Sequence, residues 1–124
     1  MEYPAALVLL IDRNLAFGYL IGRYSERSGL RFVRSDGATA FSAATAFQPA
    51  VMVITMRTPA SWTLLHQLRT DGRTRAIPLV LCSALVDHER AWHEGASIWL
   101  RKPVMYSDFL VALASAGLSV PAEP

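Results

Sequence analysis

The chain has 124 residues, 52% hydrophobic and 18% charged, a balance that folds around one core and excludes an intrinsically disordered segment. Its net charge is only +2, and the eleven arginines that dominate it are scattered, which argues against a dedicated nucleic-acid surface. The early apolar run Ala5 to Ile11 is far shorter than the about 20 residues that span a bilayer, and it lacks the basic flank of a signal peptide. The lone Cys82 excludes an internal disulfide and a multi-cysteine metal site. Lying in the apolar run Leu79 to Cys82, it reads as a buried, inert thiol. A cytoplasmic domain without membrane attachment is expected.

Ala5 to Ile11 is a continuous Leu, Val and Ile run, as in a strand buried on both faces. Asn14 is placed to cap a helix from Leu15 to about Ser28, with Phe17, Leu20, Ile21 and Tyr24 at core-facing spacing and Gly29 as its stop. Leu30 to Arg34 alternates apolar and charged residues and predicts a more exposed strand. Asp36 then caps a predicted helix over Gly37 to Phe47, Ala-rich enough to lie close on a sheet. Val51 to Ile54 is the third strand and Trp62 to Thr70 the third helix, with Leu64, Leu65 and Leu68 inward. Between this helix and the next run, Arg69, Arg73 and Arg75 gather around a turn that reads as a solvated loop. Ile77 to Cys82 predicts a fourth strand and Val86 to Glu94 a fourth helix. Ser97 to Leu100 makes a short fifth strand, and Met105 to Ala116 a final helix ended by Gly117.

Five strand-then-helix units with short connections imply an α/β fold: a doubly wound parallel sheet with helices on both faces. Asp12, Thr55, Ser83 and Lys102 each follow a strand, so they gather at the carboxyl edge of the sheet, where such folds place their sites. No Gly-rich phosphate loop follows the first strand, which excludes a Walker loop and a dinucleotide fingerprint. His66, His88 and His93 lie on predicted helix surfaces, and the last two are five apart, on different faces of their helix, so no helical metal pair is expected. Gly18 and Gly22 sit inside the first predicted helix, where close packing on the sheet accounts for them.

The pattern of Asp12 after the first run, Thr55 and Pro59 after the third, Ser83-Ala84 after the fourth and Leu100-Arg101-Lys102-Pro103 after the fifth resembles the receiver domain of bacterial two-component response regulators. The resemblance covers about Leu7 to Leu118, and it implies a flavodoxin-like sheet with strand order 2-1-3-4-5. Residues 1–118 then form the domain, and 119–124 a tail or the start of a linker. In that family an acidic pair after the first strand holds magnesium, an aspartate ending the third strand takes a phosphoryl group, and a hydroxyl and a Lys-Pro respond to it. Carried over, Asp12 matches the first acid, Ser83 the hydroxyl, Lys102 the lysine, Pro103 the proline that often follows a cis bond, and Trp99 the switch aromatic. Gly95-Ala96 matches the pair before the fifth strand.

The departures change the expected chemistry. Arg13 replaces the second acid and Thr55 the phosphoacceptor, and the segment from Pro59 to Leu64 reads as a loop two residues shorter than usual. Magnesium wants hard oxygen ligands, commonly one or two carboxylates plus substrate phosphate. Here Asp12 stands beside Arg13, with Lys102 opposite and Arg57 in reach, so a dication is opposed. Thr55 could act as a nucleophile only with a neighbouring base, and no histidine or carboxylate beside it is evident in the sequence. Lys102, the only lysine of the chain, stands where the family motif has one.

The expected function is therefore that of a non-enzymatic pseudo-receiver: a phosphorylation-independent protein-interaction or regulatory module of bacterial signalling, with no cofactor. One alternative is a conventional phosphoaccepting receiver with a displaced site, for which Asp36, Asp71, Asp87 and Asp108 are the remaining acids. A small flavodoxin-like enzyme such as a flavin binder is another. The working surface is expected on the fourth predicted helix, the fifth strand and the final helix, where the resemblance places dimer and partner contacts. His88 and Trp92 are four apart and share a helix face, and Trp99 shares a strand side with Ser97 and Arg101. Tryptophan and arginine are the residue types that dominate interface hot spots, so a protein partner or a homodimer is the expected occupant.

Overall fold

The computed structural model describes residues 5–83 and 98–118. Five parallel strands pair in the order β2-β1-β3-β4-β5: β1 (Leu7–Ile11), β2 (Arg31–Ser35), β3 (Val51–Thr55), β4 (Leu79–Ser83) and β5 (Ile98–Arg101). Helices α1 (Leu15–Arg27), α2 (Ala40–Phe47), α3 (Pro59–Thr70) and the final helix α4 (Tyr106–Ser115) pack against the sheet. The predicted helix over Val86 to Glu94 lies outside the described residues, as do Gly95-Ala96 and the tail.

The three central strands are buried along their whole length, which is why they read as unbroken apolar runs. Side chains alternate between two cores. Leu9, Ile11, Met52, Ile54, Leu79 and Leu81 face Ala40 and Ala44 of α2 and Leu64, Leu65 and Leu68 of α3. Val8, Leu10, Val51, Val53, Val80 and Cys82 face Phe17 and Ile21 of α1 and Phe109, Ala112 and Leu113 of α4. Burial pushes the Cys82 thiol up to about 12, so it stays protonated and inert at neutral pH. On the same face, the Tyr24 hydroxyl donates to the Val104 carbonyl at 2.9 Å, tying α1 to the turn before α4.

Capping sets the helix boundaries. Asn14 Oδ1 accepts the Phe17 amide at 2.9 Å and starts α1 where the sequence predicted, and Gly29 at φ +74° ends it in the left-handed region that favours glycine. Two other starts differ from expectation. Asp36 Oδ1 accepts both the amide and the hydroxyl of Thr39 at 3.0 Å, closing a turn, so α2 begins at Ala40 and not at Gly37. Pro59 occupies the first position of α3, with Thr58 before it, so the supposed short loop from Pro59 is helix. In the turn after α3, Arg73 and Arg75 are exposed as expected, and Arg69 is the exception. Arg69 is half-buried and donates to the carbonyls of Arg75 and Ile77, while Arg73 pairs with Asp71 at 3.0 Å. Among the described residues no helix is long and apolar enough to cross a membrane.

Candidate functional site

Strand register assembles the site. Ile11 pairs with Ile54 between β1 and β3, so the next residues, Asp12 and Thr55, meet at the carboxyl edge. Ser83 pairs with Arg101 between β4 and β5, and the Lys102 amide then donates to the Ser83 carbonyl at 2.9 Å. Asp12, Thr55 and Ser83 are all buried, and the Lys102–Pro103 peptide is cis.

Asp12 is the hub. Its Oδ1 accepts the Asn14 amide at 2.9 Å, and its Oδ2 accepts the Thr55 hydroxyl at 2.7 Å. Two cations complete the shell: the Arg57 guanidinium lies 3.4 Å from Oδ1, and the Lys102 ammonium 3.6 Å from Oδ2. The Asp12 side chain is only 3% exposed against 48% for Arg57, so the carboxylate is desolvated while the guanidinium keeps one side in water. Lys102 also sits 3.9 Å from the centroid of the Phe17 ring, a cation–π contact that partly replaces its lost hydration.

Burial lowers the pKa of Lys102 below its usual 10.5, and nearby Arg57 pushes in the same direction, while Asp12 opposes both. Between its folded and unfolded pKa values the unfolded chain holds the Lys102 proton more often than the folded one. Stability linked to Lys102 therefore rises with pH in that window and is lowest, and flat, below it.

Beside this cluster opens a cleft of about 490 Å³, bounded by Asp12 and Arg13, by Asp36, Gly37 and Ala38 of the β2–α2 turn, and by Thr58, Ala60 and Ser61 at the start of α3. The other site residues fall as follows. Arg57, not Arg13, makes the close contact with Asp12, and Arg13 lines the cleft together with Asp36. Thr55 does have a carboxylate beside it, contrary to the sequence expectation. The two are 43 positions apart, and only the β1–β3 register brings them together. Trp99 is partly buried against the α2–α3 core, while Arg101 is exposed at the outer strand. His88 and Trp92 lie outside the described residues, as does Asp87. The remaining described aspartates have structural tasks: Asp36 caps Thr39, Asp71 pairs with Arg73, and Asp108 accepts the Met105 amide at 3.0 Å.

No family model and no curated protein matches the sequence. Solved structures do match the fold. The chemotaxis protein CheY4 of Vibrio cholerae is 19% identical, with a TM-score of 0.82 over 90% of this chain and 98% of its own. A sensor protein from Polaromonas is 23% identical, at 0.81 over 91% and 96%. The receiver domain of a sensor histidine kinase from Pseudomonas aeruginosa, 20% identical at 0.80 over 92% and 99%, has a magnesium ion coordinated in its active-site cleft. This chain has the receiver fold.

The donor set at the sheet edge does not suit magnesium. Among the described residues no three metal-ligating side chains come together, and the buried carboxylate of Asp12 is held by a guanidinium and an ammonium. A dication would have to displace two fixed cations from one carboxylate. Lys102→Met should erase the upward slope of stability just below pH 10.5 that Lys102 titration produces. Urea unfolding of both chains between pH 8 and 10.5 measures it, and parallel stability curves would contradict the assignment.

Proposed function

We propose that this chain is a pseudo-receiver: a receiver-fold module of bacterial signal transduction that works through protein contacts without accepting a phosphoryl group. One observation carries the reading. The residue at the end of β3 is a threonine whose hydroxyl donates to Asp12 at 2.7 Å, and Asp12 is itself held by Arg57 and Lys102. A phosphoacceptor aspartate needs a neighbouring metal to offset the incoming phosphoryl charge. Here the cations are supplied by side chains, and the acceptor carboxylate is absent. The charge of Asp12 is compensated by side chains of the chain itself.

Such a module signals by being bound, and the fifth-strand edge supports a partner surface. Arg101 is exposed there beside Trp99, and His88 and Trp92 belong to the same proposed face by sequence. Because Trp99 packs partly into the core, truncating it tests packing as much as binding. Arg101 is the cleaner probe.

After incubation with acetyl phosphate and magnesium, the intact mass should be unchanged. An acid-labile phosphoryl adduct would reveal a displaced aspartyl site, and an acid-stable one an ester at Thr55; either contradicts the reading. For the surface, light scattering should give a dimer, or a native partner should be captured, in wild type and be lost in Arg101→Glu and Trp92→Ala. A monomeric wild type whose captured partner ignores both changes would remove this face from the account.

A further inference from the structure

The 490 Å³ cleft beside the Asp12 cluster opens over the core residues Ile11, Ile54 and Leu64, and its size falls within the about 300–1,000 Å³ of small-molecule sites. Its floor and rim differ in chemistry. Ile11, Ile54 and Leu64 form an apolar floor, and Gly37, Ala38 and Ala60 leave the entrance open because they carry little or no side chain. Arg13 and Arg57 stand at the rim. Arg57 gives one side of its guanidinium to Asp12 and is otherwise 48% exposed. Arg13 is exposed and forms no ion pair within 4 Å among the described residues.

Two cations, Arg13 and Arg57, and two carboxylates, Asp12 and Asp36, line this space. Asp12 is shared between Arg57 and Lys102, and Asp36 spends its Oδ1 on the amide and hydroxyl of Thr39. Both carboxylates thus have partners of their own, and Lys102, behind Asp12, adds a third cation outside the lining. Guanidinium groups present paired N–H donors that match a carboxylate or a phosphate, and such charge-assisted bonds are about twice as strong as neutral ones. An apolar body resting on Ile11, Ile54 and Leu64 would be drawn out of water at the same time.

We propose that this cleft is a reversible binding site for a small anion with a compact apolar body, its anionic head held by Arg57 and Arg13. The ligand reaches the Asp12 cluster through Arg57, so its occupancy is an input that needs no phosphoryl transfer. The inference rests on the reading of the pocket as unphosphorylated, and the two fail separately. Covalent modification appears in the intact mass, whereas this site is read by reversible binding.

Benzoate and phenyl phosphate are suitable probes, with benzyl alcohol as the neutral control. Titrated into the full ¹⁵N-labelled chain, both anions should shift the amides of Arg13, Gly37, Ala38, Thr58, Ala60 and Ser61 saturably, while benzyl alcohol should not. Arg57→Gln should weaken binding by about tenfold or more, the scale of one lost charge-assisted bond. Arg13→Gln should weaken it several-fold, and because Arg13 holds no ion pair among the described residues this variant tests the site even if Arg57→Gln is poorly folded. Arg23→Gln on α1 should change nothing. The proposal is overturned if no probe binds saturably, if benzyl alcohol binds as well as benzoate, if the shifts fall elsewhere, or if Arg13→Gln binds like wild type. If phenyl phosphate binds and benzoate does not, the head is narrowed to a phosphate; the converse narrows it to a carboxylate.

Discussion

A desolvated carboxylate has to be neutralised, and in this fold groups of the chain itself meet that demand at Asp12. One hydroxyl, one backbone amide, one guanidinium and one ammonium surround it. Removing a single partner from a buried ion pair can cost about 3–5 kcal/mol, but two cations share this carboxylate and one of them is half in water. The cost of losing either is therefore buffered by the other. That redundancy means the negative charge of Asp12 is compensated by the chain's own cations.

The sheet makes this possible by register. Parallel pairing of β1 with β3 and of β4 with β5 delivers Asp12, Thr55, Ser83 and Lys102 to one edge, and the turns above that edge decide what else can reach them. Because α3 starts directly at Pro59, Arg57 lies in a three-residue connection after β3, Met56 to Thr58, and reaches Asp12. On the other side, the Asp36–Thr39 turn delays α2 until Ala40, leaving the small residues Gly37 and Ala38 over the cleft. Two local capping decisions thus shape both the cation shell and the space beside it.

Much of this was legible in the sequence. The unbroken apolar runs of β1, β3 and β4 and the punctuation by Asn14 and Gly29 carry the doubly wound order, and each polar residue after a strand falls at the expected edge. What the sequence concealed is pairwise and tertiary. Thr55 reaches Asp12 only through a register that joins residues 43 positions apart, so the carboxylate beside the hydroxyl could not be read from its neighbours. Helix starts were missed where a side-chain cap competed with periodicity: Asp36 caps a turn before any helix, and Pro59 opens a helix that reads as a loop. Arg69 looked solvated because arginine usually is, yet its fork closes the backbone between α3 and β4.

In this chain, which shares the receiver fold, the carboxylate at the sheet edge is held by a guanidinium and an ammonium. The central claim is that Arg57 and Lys102 already fill the electrostatic role of a dication at Asp12. Magnesium titration followed through the amide resonances of Asp12, Thr55 and Lys102 tests it most directly. The account predicts only small, linear drifts up to tens of millimolar, of the kind that ionic strength produces. Saturable shifts at those three amides in the low millimolar range, absent when sodium replaces magnesium at equal ionic strength, would contradict it.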